Sequence, residues 1–259
     1  MAGAAVQRRL IWRLGEVVEV VDETPRVRTV VLTVPEWPGH LAGQHVDVRL
    51  TAEDGYQAER SYSIASQPDT HERLALTIER LDDGEVSGYL AGELRVGDTL
   101  ELRGPIGGYF VWNVADGGPL LLVAGGSGIC PLMAMLRHRA AAGSAVPTRL
   151  LYSSRSLDDV IYRAELERLM TTGTGLEVIH ALTRAQPPEW SGYRRRIDTK
   201  MLAEVAWPPD QHPLAFVCGP TPLVESVATA LVELGHETGR IKTERFGPTG
   251  GQERWTSDS

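Results

Sequence analysis

Hydrophobic and polar residues alternate over short stretches in the first hundred or so residues, and turn-forming residues separate these stretches. Alternation with a period of two, enriched in β-branched residues, is typical of strands with one buried face. We therefore predict a short helix at residues 86–91 and six strands. The strands cover residues 16–21, 27–34, 45–50, 60–64, 74–80 and 99–103. Strands of this length and spacing favour a small antiparallel β-barrel or sandwich.

The pattern changes after residues 113–119, a segment rich in glycine and other turn-forming residues. Apolar runs now alternate with longer segments of helical periodicity, which is typical of a parallel sheet covered by helices on both faces. The predicted strands cover residues 120–124, 149–152, 176–181 and 214–218, and the predicted helices cover 131–142, 162–170, 199–205 and 222–234. We therefore predict two domains, 10–112 and 117–248, and a C-terminal tail, 249–259.

Composition excludes several kinds of function. The chain has 26 Lys and Arg against 34 Asp and Glu, a net charge of −8, which argues against a nucleic-acid partner. Its two cysteines cannot supply the four thiolates of an iron–sulfur or structural zinc site, and its histidines show no metal-ligand spacing, so we expect no metal. No apolar run approaches the ~18 residues of a membrane span. The first nine residues lack the apolar core of a signal peptide, so we expect a cytoplasmic protein.

A glycine-rich turn follows the first strand of the second domain and leads into a helix. It contains Gly126, Ser127, Gly128 and Ile129. Glycines at such a turn let the backbone approach a pyrophosphate at the helix N-terminus. Pro131 stands where the standard dinucleotide fingerprint has its third glycine, so the alternative of a turn that binds nothing stays open.

Arginines follow the next two predicted strands. Arg155 comes after the second strand of the domain, and Thr183 and Arg184 come after the third. In an NAD site an acidic residue usually holds the ribose hydroxyls, whereas arginine with a hydroxyl suits a ribose phosphate through charge-assisted hydrogen bonds. The pattern favours NADPH over NADH. Asp158 and Asp159 leave open the alternative that Arg155 belongs to a solvated surface cluster.

Two short motifs in the first domain carry possible ligand chemistry. They are Arg60-Ser61-Tyr62-Ser63 in a strand and Gly84-Glu85-Val86-Ser87 at the start of the helix. Alternation along the strand places Arg60 and Tyr62 on one side and the two serines on the other. The helix N-terminus could hold an anion.

These motifs, in order with the glycine turn and two later ones, resemble the ferredoxin–NADP reductase superfamily. The later motifs are Cys218-Gly219-Pro220 and Glu244-Arg245-Phe246. The chain most resembles the compact bacterial FAD-binding NAD(P)H oxidoreductases that have no iron–sulfur domain, over about residues 16–247. The resemblance implies an FAD-binding β-barrel followed by a doubly wound NAD(P)-binding domain. It also implies FAD and NADPH as cofactors, with NADH possible.

On the flavin side, the resemblance implies a role for each matching residue. Arg60 would contact the FAD pyrophosphate, Tyr62 would pack on the isoalloxazine ring, and Ser63 would hydrogen-bond near flavin N5. Val86 and Ser87 would hold the diphosphate. The other expected FAD-binding residues are Ser61, Thr77, Ile78, Glu79 and Glu85.

On the nucleotide side, the resemblance places the glycine turn at the NADPH diphosphate and Thr183 with Arg184 at the 2′-phosphate. Cys218 would lie beside the nicotinamide, Phe246 would cover the flavin, and Glu244 would orient the nicotinamide or relay protons. The expected catalytic residues are Ser63, Cys218, Glu244 and Phe246. The expected nucleotide-binding residues are Gly126, Ser127, Gly128, Ile129, Arg155, Thr183, Arg184, Cys218, Gly219, Pro220 and Phe246.

The function implied is a flavin-dependent NAD(P)H:acceptor oxidoreductase, in which hydride passes from NADPH to FAD and electrons then pass to a separate partner. Because the cysteines cannot hold a cluster, the acceptor would be a ferredoxin, flavodoxin, haem or molybdenum protein, or a small molecule. An alternative is an electron-transfer or docking subunit of a larger complex without turnover of its own. For Cys218 and Phe246, a simple core role also stays open.

Overall fold

The computed structural model describes residues 10–68, 72–172 and 175–246. It contains a six-stranded sheet and a five-stranded sheet, joined by a connection at residues 107–119. The predicted tail and the last two residues of the predicted second domain lie outside this part of the chain. The boundaries of the two domains stay a prediction, although the connection falls where the sequence places the change of pattern.

The first sheet is antiparallel and forms the predicted barrel. Its strands are β1 (Trp12–Thr24), β2 (Val27–Thr33), β3 (His45–Thr51), β4 (Gln57–Ser63), β5 (Arg73–Glu79) and β6 (Thr99–Ile106). They pair in the order β4-β3-β6-β1-β2-β5, and an isolated bridge between Ile64 and Leu76 joins the two edges. The 13-residue β1 exceeds its predicted length because its start pairs with β6 and the rest with β2, across register shifts that break the alternation.

One α-helix lies between the described strands of the barrel, α1 (Glu85–Gly92), and it packs against the barrel core. Val86 and Leu90 of this helix are buried in the same cluster as the inward-facing residues of β2, β3 and β5. Their burial fixes the helix against the barrel, so its N-terminus has a defined position beside β4.

The second sheet is parallel and has helices on both faces, as predicted. Its strands are β7 (Leu120–Gly125), β8 (Thr148–Ser154), β9 (Leu176–Leu182), β10 (Leu214–Pro220) and β11 (Ile241–Phe246), in the order β11-β10-β7-β8-β9. The helices are α2 (Ile129–Ala141), α3 (Arg163–Thr172), α4 (Thr199–Val205) and α5 (Thr221–Glu233). Along β7, Leu120 and Leu122 pack with α2 and α3, whereas Leu121 and Val123 pack with α4 and α5.

Strand β11 is absent from the sequence-based prediction. Its sequence is Ile-Lys-Thr-Glu-Arg-Phe, and only Ile241 is buried, so it shows no hydrophobic alternation. It forms because its backbone pairs in parallel with β10, placing Glu244 opposite Cys218 and Phe246 opposite Pro220. The strand therefore carries the C-terminal motif back to the centre of the molecule.

The two sheets share a buried cluster. Ala42, Ala65 and Trp112, from the barrel side, lie in the same cluster as Leu132 and Met135 of α2. The two sheets therefore meet across a packed interface. No helix in the described ranges is both long and apolar enough to cross a membrane. Within the same ranges, no group of three or more His, Cys, Asp or Glu side chains could hold a metal ion.

Candidate active site

The end of β4 meets the end of β11 at a hydrogen bond between two expected catalytic residues. Ser63 Oγ donates to Glu244 Oε1 at 3.1 Å, across 181 positions of sequence. Both side chains are half-buried. Burial raises the pKa of Glu244, and the Ser63 hydroxyl partly opposes this shift. The contact places a carboxyl group with a raised pKa at the junction of the two sheets.

Cys218 lies beside this pair, fully buried in β10. Burial and then the nearby Glu244 raise the pKa of its thiol well above the ordinary value, so it stays a neutral thiol. The backbone of Cys218 touches the glycine turn, since a Cβ on Gly128 would lie 2.1 Å from the Cys218 carbonyl oxygen. Glycine at 128 is therefore required for α2 to begin this close to β10.

The glycine turn is held from both sides. Gly126 has a φ of +54°, and its carbonyl accepts a 3.1 Å hydrogen bond from the hydroxyl of Tyr152. Ser127 Oγ donates to Glu79 Oε2 of β5 at 2.8 Å, so two expected binding residues pair across the domains. A Cβ on Gly126 would meet nothing within 4 Å, which leaves the outer surface of the turn open. An open turn at the N-terminus of α2 fits a diphosphate.

Arg60 and Tyr62 face one side of β4. Burial raises the pKa of Tyr62 to about 12, and the Arg60 guanidinium acts against this shift. Arg60 donates to the Glu59 carbonyl at 2.7 Å and forms no ion pair within the described residues. Ser61 points the other way, and its hydroxyl donates to Asp47 at 2.7 Å. An exposed guanidinium beside a half-buried aromatic ring fits a flavin with its phosphates, while the role of Ser61 as a cofactor contact stays a prediction.

The N-terminus of α1 adds further donors on the same side. The first helical bond runs from the N–H of Gly88 to the Gly84 carbonyl at 2.7 Å. The first turn therefore leaves three backbone N–H groups without helical partners, those of Glu85, Val86 and Ser87. The Ser87 hydroxyl is 3.3 Å from the Gly84 carbonyl oxygen. These donors, together with Arg60, have the chemistry required to hold the diphosphate of FAD.

The ends of β8 and β9 bring the expected phosphate-binding residues together. The N–H and hydroxyl of Thr183 both donate to the Ser154 carbonyl, at 3.0 and 3.2 Å. The N–H of Arg184 donates to the Arg155 carbonyl at 2.8 Å. In the part of the chain that the structure describes, neither arginine pairs with a carboxylate, and Asp159 accepts instead from Ser156 Oγ at 2.6 Å. This arrangement favours the phosphate interpretation over a surface ion-pair cluster.

Ser154 is a candidate that the predicted binding set lacks. Its side chain is buried, and its hydroxyl lies near the hydroxyl of Tyr152 and is closed off from solvent. The sequence signal is its position directly before Arg155 at the end of a strand. The carbonyl of Ser154 accepts both bonds from Thr183, so Ser154 helps to hold the ends of β8 and β9 together.

The remaining predicted residues lie around the same interface. Ile78 is buried in the barrel, so only its backbone can face a cofactor, whereas Thr77 points outward and is buried between the domains. Gly219 and Pro220 end β10 directly before α5. Phe246 is half-buried and packs against the cluster that contains Cys218. Its role as a cover for the flavin stays a prediction.

Comparison with known proteins identifies the family. Models of an oxidoreductase FAD-binding domain and an oxidoreductase NAD-binding domain match residues 14–111 and 122–229. Ferredoxin–NADP reductase B of Sorangium cellulosum is 36% identical over 210 residues, which cover 79% of this chain and 84% of that protein. The chain belongs to the ferredoxin–NADP reductase family, with FAD and a nicotinamide nucleotide as its cofactors.

Two further similarities concern reductases of oxygenase systems. The glycine betaine monooxygenase reductase subunit of Pseudomonas aeruginosa is 34% identical over 241 residues, covering 90% of this chain and 63% of that protein. This chain therefore spans less than two-thirds of that relative. The crystal structure of the cytochrome P450 reductase GcoB from Amycolatopsis superposes with a TM-score of 0.81 at 28% identity, covering 94% of this chain and 72% of that one.

We expect Glu244→Gln to reduce a pH-dependent loss of stability. The pKa of Glu244 in the folded protein lies above its ordinary value of 4.5. The protonated carboxyl group therefore makes its full contribution to the free energy of unfolding at pH values below 4.5. The contribution is lost as the pH rises through the raised pKa. Glutamine keeps an oxygen acceptor for Ser63 but does not ionise. The free energy of unfolding in urea should therefore fall less in the variant than in the wild type over this pH rise, and parallel curves would contradict the burial of this carboxyl group.

Proposed function

We propose that this chain is an NAD(P)H:acceptor oxidoreductase that passes electrons from NADPH through FAD to a separate redox partner. The observation that carries the proposal is the Ser63–Glu244 hydrogen bond, which brings the flavin motif of the barrel to the end of the nucleotide-binding sheet. Bound FAD supplies the conversion of a two-electron hydride donor into single-electron transfers. The protein supplies binding, orientation and exclusion of water.

The residues of the chain divide these tasks. Arg60 and the first turn of α1 bind the FAD diphosphate. Ser63 and Glu244, with the neutral thiol of Cys218 beside them, present polar groups of fixed orientation to the nicotinamide. The raised pKa of Glu244 suits a group that holds or releases a proton at its carboxyl oxygens nearer neutrality than an exposed glutamate does.

The preference for NADPH is supported by the ends of β8 and β9. Arg155 and Arg184 form no ion pair with the described carboxylates, and the N–H of Arg184 donates to the Arg155 carbonyl at 2.8 Å, which holds the two strand ends together. A 2′-phosphate would pair with the guanidinium groups, whereas the bare ribose of NADH would leave them without an anion. NADPH is therefore the proposed donor.

The proposed acceptor carries its redox centre outside these 259 residues. Both cysteines are buried free thiols, so no iron–sulfur cluster forms on this chain. The similar proteins named above serve a monooxygenase and a cytochrome P450, which supports a metal-containing protein of an oxygenase system as the acceptor. A ferredoxin, a flavodoxin, a molybdenum protein or a small acceptor remain the other candidates. Free thiols are also typical of a reducing compartment, which supports a cytoplasmic location.

The test is reduction of the FAD-loaded protein by NADPH in the absence of oxygen. We expect the visible flavin band to bleach within one catalytic turnover, and the reduced protein to pass electrons to an artificial acceptor such as ferricyanide. A protein that keeps its flavin but is reduced by neither NADPH nor NADH would overturn the proposal. Flavin reduction without turnover of the acceptor would instead favour a subunit that works only within a larger complex.

A further inference from the structure

Tyr162, directly before α3, has an unusual backbone conformation. Its φ is +61°, in the left-handed region that bulky side chains rarely adopt, and its side chain is buried. The other non-glycine residues with positive φ in the described ranges, Glu36 and His212, lie at exposed positions. A strained conformation at a buried aromatic residue persists only where surrounding contacts hold it.

A chain of hydroxyl groups connects Tyr162 to the barrel. Thr29 Oγ1 donates to Glu23 Oε1 at 2.7 Å, and it lies 2.8 Å from Thr77 Oγ1, which in turn bonds to the Tyr162 hydroxyl. Each hydroxyl has one proton to donate. Because Thr29 gives its proton to Glu23, Thr77 must donate to Thr29, and Tyr162 must donate to Thr77. The chain therefore runs in one direction, from the NAD-binding domain across β5 and β2 to β1.

Glu23, at the far end of this chain, also lies near the backbone of Tyr162. Burial raises the pKa of Glu23, while the Thr29 hydroxyl, Arg137 and the backbone N–H of Tyr162 lower it. The same carboxylate is connected to the Tyr162 hydroxyl through Thr29 and Thr77.

Arg137 of α2 contacts Tyr162 at its aromatic ring rather than at its hydroxyl. Its guanidinium lies 4.8 Å from the centre of the Tyr162 ring, donates to the Ala65 carbonyl of the barrel domain at 2.7 Å and pairs with Glu165 at 2.6 Å. Most of this guanidinium is shielded from solvent. The aromatic ring of Tyr162 is therefore fixed independently of its hydroxyl, so the two contributions can be separated by substitution.

Strand β5 links the hydroxyl chain to both cofactor sites. Thr77 belongs to this chain of hydroxyl groups, and two residues later Glu79 accepts the hydrogen bond from Ser127 of the glycine turn. Cys130 Sγ, at the start of α2, lies 3.9 Å from the Thr77 carbonyl oxygen. A displacement of Thr77 would therefore move β5 relative to the turn that faces the nucleotide.

We propose that Tyr162 is a positioning residue, which fixes β5 of the FAD-binding domain against the glycine turn of the NAD-binding domain through the hydroxyl chain Glu23–Thr29–Thr77–Tyr162. This inference rests on the proposed function, because the geometry that it sets is that of the flavin relative to the nicotinamide.

The test compares Tyr162→Phe and Thr77→Val with a matched control. Tyr162→Phe keeps the aromatic ring beside Arg137 and removes only the hydroxyl. The control, Tyr193→Phe, removes the hydroxyl that donates to Glu204 at 2.7 Å in the same domain, without a barrel contact. We expect the first two variants to slow flavin reduction by NADPH roughly tenfold, with little change in the dissociation constant of NADPH. The control should reduce its flavin at the wild-type rate. Thr77→Ser, which keeps the hydroxyl that Thr77→Val removes, should restore the rate of flavin reduction that Thr77→Val loses.

Two further measurements make the result decisive. The visible circular dichroism of bound FAD, recorded without nucleotide, should change in Tyr162→Phe and Thr77→Val but not in the control. Flavin reduction in the double variant should be no slower than in the slower single variant, because both substitutions remove the same hydrogen bond between Thr77 and Tyr162.

Additive effects, or variants that lower only the melting temperature while the rate and the dichroism match the control, would overturn the inference. If NADPH fails to reduce the wild-type protein, the proposed function fails. The dichroism of the variants still tests the position of β5 in that case.

Discussion

Replacing Arg60 with alanine is expected to weaken FAD binding by roughly 10- to 100-fold, because a charge-assisted hydrogen bond to phosphate contributes about 1.5–3 kcal/mol. The guanidinium is available for this contact, since within the described residues it donates to the neighbouring Glu59 carbonyl and pairs with no carboxylate. Fluorescence titration of the apoprotein with FAD measures the change. Visible absorbance of the purified protein gives the occupancy independently.

The matched control is Arg73→Ala, which removes an exposed arginine of β5 that pairs with Glu19 at 3.4 Å. It removes the same charge from the same barrel but should leave FAD affinity unchanged within about twofold, as expected for an exposed ion pair. Equal FAD affinity in wild type and Arg60→Ala would remove Arg60 from the flavin site. Equal losses in both variants would indicate a general effect of charge.

Replacing Arg184 with alanine is expected to raise the KM for NADPH by roughly 10- to 100-fold and to leave the KM for NADH nearly unchanged. The two coenzymes differ only in the 2′-phosphate, so the difference isolates that contact. The hydrogen bond from the N–H of Arg184 to the Arg155 carbonyl fixes the backbone at this position, and alanine keeps that bond. Steady-state kinetics with both coenzymes and one artificial acceptor measures the effect.

Arg195→Ala provides the control for this substitution. Arg195 is an exposed arginine of the same domain, but its guanidinium already pairs with Asp198 at 2.7 Å. Its removal should change neither KM by more than about twofold. If Arg184→Ala raises both KM values equally, the 2′-phosphate lies elsewhere. Arg155→Ala, tested in parallel, then shows whether the other arginine at these strand ends holds it.

Elements with strong periodicity were predictable, and elements held by pairing alone were not. Helix α4 has the predicted bounds, Thr199–Val205, because Asp198 caps it and its apolar face is buried. By contrast, β11 has polar residues at most positions and forms because its backbone pairs with the free edge of β10. A sequence pattern reports burial, so an edge strand with half-exposed side chains gives no such pattern.

The candidate site divides in the same way. The motifs that contain Arg60, the glycine turn and Arg184 are local. The residue types at the glycine turn and at Arg184 favour phosphate chemistry, whereas the role of Arg60 is implied by the family resemblance. Ser154 was missed because its burial and its bonds with Thr183 depend on neighbouring elements. The same is true of Tyr162, whose left-handed backbone and contact with Thr77 involve residues 85 positions apart.

The sequence by itself determined the order of a β-barrel and a doubly wound sheet and the lack of four cluster-forming thiolates in these 259 residues, and it predicted two phosphate-binding sites. These properties depend on periodicity, residue type and counts, which are local. Only the tertiary structure decided that Ser63 meets Glu244, that Arg155 and Arg184 stay unpaired by the described carboxylates, and that Tyr162 joins the domains. Each of these facts depends on contacts between chain segments far apart in sequence, which the packing of the two sheets creates.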